Sequence, residues 1–394
     1  MRSANSVLAV TTLSHMMQHI FVGTSILFPL IITDLSLNYT EFGIVIAVSS
    51  LIGGLLQILF SVASRKVARH VLLGLGNTLL SLGTFLTGLA RNLTHFLGAR
   101  TVANVGVAPQ HPMGTTIIAE RFDGKSIGKA MGIHYGVAYV GNIVGPLFMT
   151  YLAVAAGWRN ALFVFSVPAL IVGLTVIWYL GEGKKPIRPG EVRGAPSLKS
   201  DVITLTKTGS VIQIIAVQAL ISGGIGLEII TTYTPLFLAD ALKLDVYARG
   251  IIYAIGLIGG VMGPVLLGRH ADRLGHLKTA TLSAGIALIL VYLLPLHSSA
   301  SLVLVLHLFA LGFVSFALPT LLQSHLVKIT REHKRDLVAG MFFTVSYGFN
   351  SLWTVVTGYM IDAYSSFTPA FTMMGTLGLM AFVILVGQMR KFGS

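Results

Sequence analysis

The chain has 394 residues, of which 54% are hydrophobic and 10% charged, far below the charged share of about 25% in soluble domains, so a soluble globular protein is excluded. It contains no cysteine, which excludes disulfides and thiolate metal sites and leaves the redox compartment open. The net charge of +13 would suit a nucleic-acid partner, but the placement of the basic residues along the chain argues for a membrane protein instead.

Hydropathy divides the chain into twelve apolar runs of about the length needed to cross a bilayer, roughly 20 residues. They cover about 7–33, 42–62, 71–90, 95–118, 127–156, 159–180, 209–239, 246–267, 278–297, 301–327, 337–361 and 367–389. With the amino terminus cytoplasmic, the inner loops and tails hold 22 of the 27 Lys and Arg residues. The outer loops hold only Arg91, Arg159, Lys243 and Arg249, and Arg100 lies within a run. Both termini are therefore expected on the cytoplasmic face of the cell membrane.

The first run follows only MRSANS and shows no clear small-residue cleavage site, so it is expected to remain in the mature protein. It carries SHMMQH, in which His15 and His19 share a helix face at i, i+4. Asn38-Tyr-Thr40 and Asn92-Leu-Thr94 match the glycosylation acceptor pattern on outer loops, a match common by chance. The fourth run carries Arg100, His111, Pro109 and Pro112, and the two prolines predict a kink whose freed carbonyls can line a cavity. Arg100 within the membrane is either a solute anchor, a proton-relay partner or a structural brace. The fifth run adds His134 among Gly132, Gly136, Gly141, Gly145 and Pro146, and small residues four apart predict close helix packing.

At about 1.5 Å of rise per residue, His15, His111 and His134 fall at similar depth in the cytoplasmic half, with His19 one turn deeper. Each alone reads as a hydrogen-bonded packing residue; together they read equally as a cavity site for protons or a transition metal.

Residues 181–208, rich in Gly, Pro and Lys, read as a cytoplasmic linker between a first six-helix half, 1–180, and a second, 209–394. Pro29 and Pro235, Asp34 and Asp240, and Gly53-Gly54 and Gly259-Gly260 are each 206 residues apart. That spacing predicts a parallel repeat, two halves related by a pseudo-two-fold along the membrane normal. The seventh run holds Glu228 near its middle, the one acidic residue of the fourteen that no loop or run end accommodates. A charge there costs about 3 kcal/mol on insertion scales, so Glu228 is either a proton-coupling group or a permanently neutral or permanently paired packing residue.

After the eighth run comes Gly268-Arg-His-Ala-Asp272-Arg273-Leu-Gly275, read as a short loop. This G-x-x-x-D-R-x-G text resembles the loop signature of the major facilitator superfamily. The resemblance implies a twelve-helix transporter in which Asp272 and Arg273, with Gly268 and Gly275 allowing a tight turn and close helix approach, latch the cytoplasmic side shut. The first-half copy departs from it, with Arg65 or Lys66 at the acidic position and Ala68 for the glycine. Arg100 and Gly106 keep the spacing of the family's fourth-helix signature. Gly141, Gly145 and Pro146 resemble its antiporter pattern without the trailing glycines. SHMMQH, QHPMGTTIIAERF and GKAMGIHYGVAYVGNIVGPL are similar to the fosmidomycin-resistance branch.

The expectation is thus an all-α secondary active transporter, not an enzyme, monomeric and without a cofactor. It would move a small anionic or amphiphilic solute by alternating access coupled to protons, because Arg100, the membrane histidines including His307, and Glu228 leave the cavity cationic. Transition-metal transport through the His and Met cluster, and a non-transporting membrane sensor, are the other readings. No phosphate-binding loop of the G-x-x-x-x-G-K-[ST] form supports a nucleotide-driven pump.

Overall fold

The fold is described by a computed structural model covering residues 2–64, 66–122, 126–181, 209–330 and 335–392. It is all-helical, with two compact units, Met1–Leu37 with Ile44–Glu191, and Asn38–Gly43 with Val192–Ser394. The linker expected at 181–208 lies outside the described residues apart from Gly181.

Six spans stand in the first half of the chain. The first is α1 (Ala4–Val22), a 3₁₀ turn (Gly23–Leu27) and α2 (Phe28–Asp34); the next two are α3 (Tyr39–Ala63) and α4 (Arg69–Gly88). The fourth breaks into α5 (Leu93–Val107), a π turn (Gln110–Gly114) and α6 (Thr115–Ala119), which is where Pro109 and Pro112 remove backbone donors. The fifth is α7 (Ile127–Ala138) with α8 (Gly141–Ala156), and the sixth α9 (Trp158–Leu180).

The second half repeats this order. α10 (Gly209–Gly223), α11 (Leu227–Leu236) and a π turn (Phe237–Ala241) form the seventh span, followed by α12 (Val246–Leu274) and α13 (His276–Leu293). α14 (Leu302–Ser315) with α15 (Ala317–Ile329), then α16 (Arg335–Tyr364) and α17 (Phe367–Phe392), complete it. Among the described residues nine helices are long and apolar enough by themselves to cross a membrane. The other three expected spans are the two interrupted ones, fourth and seventh, and α16.

Glycines set the packing in both units in the same way. A Cβ on Gly53 would stand 2.8 Å from the Asn104 carbonyl on α5. On Gly259 or Gly263 it would meet the carbonyls of Phe309 and Phe313 on α14. The second and fourth spans of each unit thus touch backbone to backbone, as small-residue helix contacts in membranes do. Gly141 and Gly145 do the same for α8 against α1, where a Cβ would lie 2.7 Å from the carbonyls of Met16 and Ile20. Gly132 and Gly136 differ from expectation, since no atom outside their own helix approaches their Cβ positions.

Helix starts follow capping chemistry. The Asn38 side chain accepts from the Glu41 N–H at 2.8 Å while Glu41 accepts from the Asn38 N–H at 3.0 Å, a reciprocal box at the head of α3. Asn92 caps α5 through the His95 N–H at 2.9 Å. Both asparagines of the acceptor tripeptides therefore serve as helix caps. Arg159 donates to the carbonyls of Gly88 and Ala90 and to Asp34, at 2.8, 2.7 and 2.6 Å, joining the ends of α4, α9 and α2 within the first unit.

Two expectations are corrected by the helix boundaries. The G-x-x-x-D-R-x-G text is not a loop: Gly268, Asp272 and Arg273 ride the last turns of α12, and only Gly275, at φ 94°, makes the turn. Neither Gly268 nor Gly275 supports a close helix approach, because both Cβ positions face open space. The stretch around Glu228 is not one helix either. It breaks at Gly224–Gly226, where the Gly226 N–H reaches back to the Ile221 carbonyl at 2.7 Å.

Candidate functional site

In the first unit the polar residues of α1 recur on faces that meet three neighbours. Thr11, Thr12, Ser14, His15 and Gln18 are all buried. A polar group in a membrane helix is stable only when a neighbour satisfies it. Ser14 does so by donating to the Gln110 amide oxygen at 2.6 Å while accepting from Asn77 at 2.7 Å. Gln18 donates to the Val107 carbonyl at 3.0 Å, a group freed where α5 gives way to the π turn. The break predicted from the prolines therefore supplies acceptors to α1.

The histidines face the other way, toward α7 and α8. His134 stands within 3.0 Å of His15 (Nε2 to Nδ1), and His15 within 3.2 Å of His19 (Nε2 to Nε2). The ends of the row are Thr12, 3.1 Å from His134 Nδ1, and Asn142, whose Oδ1 is 3.0 Å from His19 Nδ1. His15 and His134 are each 1% exposed. His111, on the π turn, is exposed and sets its ring edge-on to His15 with centroids 5.1 Å apart. Tyr135 and Tyr139 close the cluster, edge-on to His15 at 5.3 Å and to His19 at 4.8 Å. The three histidines predicted to share a depth, His15, His111 and His134, and His19 one turn deeper, thus lie in one cluster. Beside it lies a cavity of about 820 Å³ lined by Asn5, Leu8, Thr12, Met16, Lys129 and Val137.

Arg100 occupies a separate place along the same span. Its guanidinium lies over Phe21 at 4.5 Å and Phe28 at 5.4 Å, with a long contact of 3.4 Å to the Thr24 hydroxyl. The side chain is 9% exposed and its Nε has no hydrogen-bond partner. No carboxylate pairs with it among the described residues. An arginine in this state keeps its full charge and has donors to spare.

The other predicted groups lie in the second unit. Glu228 falls in the first turn of α11, directly after the break, and its side chain lies outside the described residues. Near that break Gln218 donates to Ser346 at 2.9 Å, and the Ser222 and Ser346 hydroxyls meet at 2.9 Å. His307 is tied to the end of α13, donating to the Leu290 carbonyl at 2.8 Å and meeting His297 at 3.0 Å. Asp272 has His276 as its neighbour at 3.7 Å, and His276 meets Lys328 at 3.0 Å. A second cavity, about 1170 Å³, is lined by Tyr39, Asp240, Lys243, His297, Asp362 and Thr368. Among the described residues no group of three or more His, Cys, Asp or Glu is arranged to hold a metal ion.

Sequence reasoning missed Thr12, Ser14, Asn77, Gln110 and Asn142. The signal for them was present as polar residues inside apolar runs, each of which must find a partner.

Twelve spans in a six-plus-six repeat, broken at the fourth and seventh, with a buried arginine that no carboxylate pairs among the described residues, are the architecture of a multi-pass membrane transporter. The sequence profile of the Major Facilitator Superfamily matches residues 8–354, and the chain belongs to that family. It is 24% identical to the probable L-galactonate transporter of Escherichia coli K12 over 90% of this chain and 83% of that protein. It is also 24% identical to the probable sulfoacetate transporter SauU of Cupriavidus necator, over 95% and 91% of the two chains. Among solved structures, the nucleoside transporter NupG superposes with a TM-score of 0.78 at 16% identity, covering 100% of both chains. A bacterial homologue of the human lysosomal transporter Spinster, inward-facing and occupied, gives 0.77 at 17% identity over 98% and 97%.

Proposed function

We propose that this transporter moves a small organic anion across the cell membrane by alternating access, driven by protons. The observation that carries the reading is Arg100: buried, held between aromatic rings, and paired with no carboxylate among the described residues. A desolvated guanidinium with free donors is a site for a carboxylate or sulfonate. The relatives named for L-galactonate and sulfoacetate support that class, since both are anions. Asp272 and Arg273, between Gly268 and the Gly275 turn, act as the cytoplasmic latch. The protein works as a monomer with both termini in the cytoplasm. Transition-metal cargo draws no support from the histidines, whose ring nitrogens meet one another at 3.0 and 3.2 Å.

The test is uptake into proteoliposomes under an imposed pH gradient, with L-galactonate, sulfoacetate and an uncharged nucleoside as cargo. The anions should accumulate and the nucleoside should not. Arg100→Gln should weaken anion binding by about tenfold to a hundredfold, the range given by hydrogen bonds to a charged group, with Arg100→Lys falling in between. Equal uptake of all three by the native protein, or anion binding unchanged in Arg100→Gln, would overturn the assignment.

A further inference from the structure

The histidine row has a property that follows from its atoms alone. A neutral imidazole has one donor nitrogen and one acceptor nitrogen, and which is which depends on the tautomer. In the row Thr12, His134, His15, His19, Asn142 every ring nitrogen of the three histidines is already used within the row. With Asn142 Oδ1 accepting, His19 Nδ1 must donate, so its Nε2 accepts from His15 Nε2. His15 Nδ1 then accepts from His134 Nε2, and His134 Nδ1 accepts from the Thr12 hydroxyl. All four bonds are made and all point the same way.

Adding one proton breaks none of them. An imidazolium donates from both nitrogens, so wherever it sits, the bonds on one side run toward Asn142 Oδ1 and those on the other run toward Thr12 Oγ1. Both end atoms can accept, the amide oxygen by nature and the hydroxyl by turning. A second proton cannot be added on the same terms, because two imidazoliums in one row leave two N–H groups facing each other across 3.0 or 3.2 Å. The row therefore has room for one proton shared among three rings.

We propose that Thr12, His134, His15, His19 and Asn142 form a one-proton store, loaded from the cavity that Thr12 lines. This deepens the proton-coupled reading above and rests on it for its role in transport. The proton arrives on His134 Nδ1; its Nε2–H bond breaks as His15 Nδ1–H forms, and the same exchange carries the charge from His15 to His19. Loading and unloading through Thr12 return the row to its starting polarity with no ring turned over. His111 is excluded from the store. It touches His15 edge-on but makes no hydrogen bond to the row.

The remaining titratable groups around the row come from every element packed on it. α7 and the turn after it present Tyr135 and Tyr139, and the π turn presents His111. α4 presents the neutral Asn77 through Ser14. Glu120 beyond α6 is held by Arg69, and Arg159 on α9 by Asp34. Lys129 stands at the cavity. The stored proton therefore has no counter-carboxylate among these groups, and its stabilisation comes from the row's own hydrogen bonds.

The experiment is a pH titration of the full-length protein with ¹⁵N-labelled histidine, following ring nitrogens by NMR. His15, His19 and His134 are assigned by single His→Gln changes, since Gln keeps a donor and an acceptor and so preserves the neutral row. The three rings should move with one shared midpoint, each covering a fraction of the neutral-to-imidazolium shift and the fractions summing to one proton. Asn142→Leu removes an end acceptor, which the charged row needs and the neutral row can do without by pointing toward Thr12. It should lower the row's proton affinity about tenfold or more, the value of one hydrogen bond to a charged group. Three separate midpoints with full imidazolium shifts would overturn the store, and so would rings that stay neutral until the fold is lost. Neither result depends on transport, so a failure here leaves the proton-coupled reading standing, and a transporter driven by another ion leaves the titration unchanged.

Discussion

The carboxylate of Asp362 accepts the backbone N–H groups of Tyr39 at 3.0 Å and Thr40 at 2.7 Å, so a residue near the end of α16 caps the first turn of α3. Within the same unit the Tyr39 hydroxyl donates to Asp240 at 2.8 Å. Those contacts place Asn38–Gly43 with the second unit although the rest of α3 belongs to the first. Two charge-assisted bonds to orphan helix donors are a strong cap.

Asp362→Asn keeps one acceptor oxygen and loses the other together with the charge. It should destabilise the protein by about 1 kcal/mol, and Asp362→Ala by about 2 kcal/mol, at the upper end of measured cap losses. Thermal unfolding in detergent reads both. Equal stability of all three proteins would mean that Glu41 and Asn38 alone hold the start of α3.

The glycines of α12 separate packing from topology. Gly259→Ala drives a methyl group into the Phe309 carbonyl, where neither backbone can yield without parting α12 from α14. A loss of about 1–3 kcal/mol is expected, as for other overpacked sites. Gly268→Ala lies on the same helix, facing open space, and should stabilise by about 0.5–1 kcal/mol through backbone entropy. If the two variants unfold alike, the close contact is not what fixes these helices.

The repeat was legible because Pro29 and Pro235, or Gly53 and Gly259, mark places where backbone geometry leaves little choice of residue. The histidine cluster was half legible. Counting rise per residue brought His15, His111 and His134 to one depth, but depth says nothing about rotation around a helix, so it could not separate the exposed His111 from the hydrogen-bonded row. Asn142 and Thr12 escaped because neither looks unusual beside its neighbours until the ring nitrogens they complete are in view. The break before Glu228 escaped for a different reason. Hydropathy is blind to backbone direction, and near-neutral Gly224 and Gly226 are hidden in a window average by the Ile221, Ile225 and Leu227 around them. The motif at Gly268–Gly275 was placed in a loop because its charges ended the apolar run at 267, about two turns too early for a helix that continues to Leu274.

Asp245 gives a pH dependence outside the membrane spans. Its side chain caps α12, accepting the N–H groups of Ala248 at 3.0 Å and Tyr247 at 2.8 Å. Those backbone bonds, the one from Ala248 foremost, hold its carboxyl below the ordinary value. A depressed folded-state pKa adds stability that is fully present above the unfolded-state pKa, about 3.9, and is lost as pH falls through the folded-state value. Asp245→Asn retains a cap that does not titrate. The stability difference between the two proteins should hold steady at neutral pH and shrink on acidification, read as thermal midpoints across an acid series. A difference that grows toward acid would contradict the cap's ionised state.

Glu228 belongs to a different part of the coupling question. It occupies the first turn of α11, at the start of a half-helix inside the seventh span, and half-helix ends within membranes are where transporters place ions and charged substrate groups. The positive end of the α11 dipole favours a carboxylate at that position. We expect Glu228→Gln, which keeps volume and hydrogen bonding but cannot titrate, to abolish pH-driven accumulation of the anion cargo while leaving exchange down a gradient largely intact. His15→Gln should do the same, because it removes the middle ring of the proton store. If the two sites serve one coupled proton, the double variant should be no worse than either single one in exchange, and neither single variant should retain a part of the accumulation. Should Glu228→Gln still concentrate L-galactonate or sulfoacetate at the native rate while His15→Gln does not, the histidine row carries the coupling by itself and Glu228 serves the packing of α11.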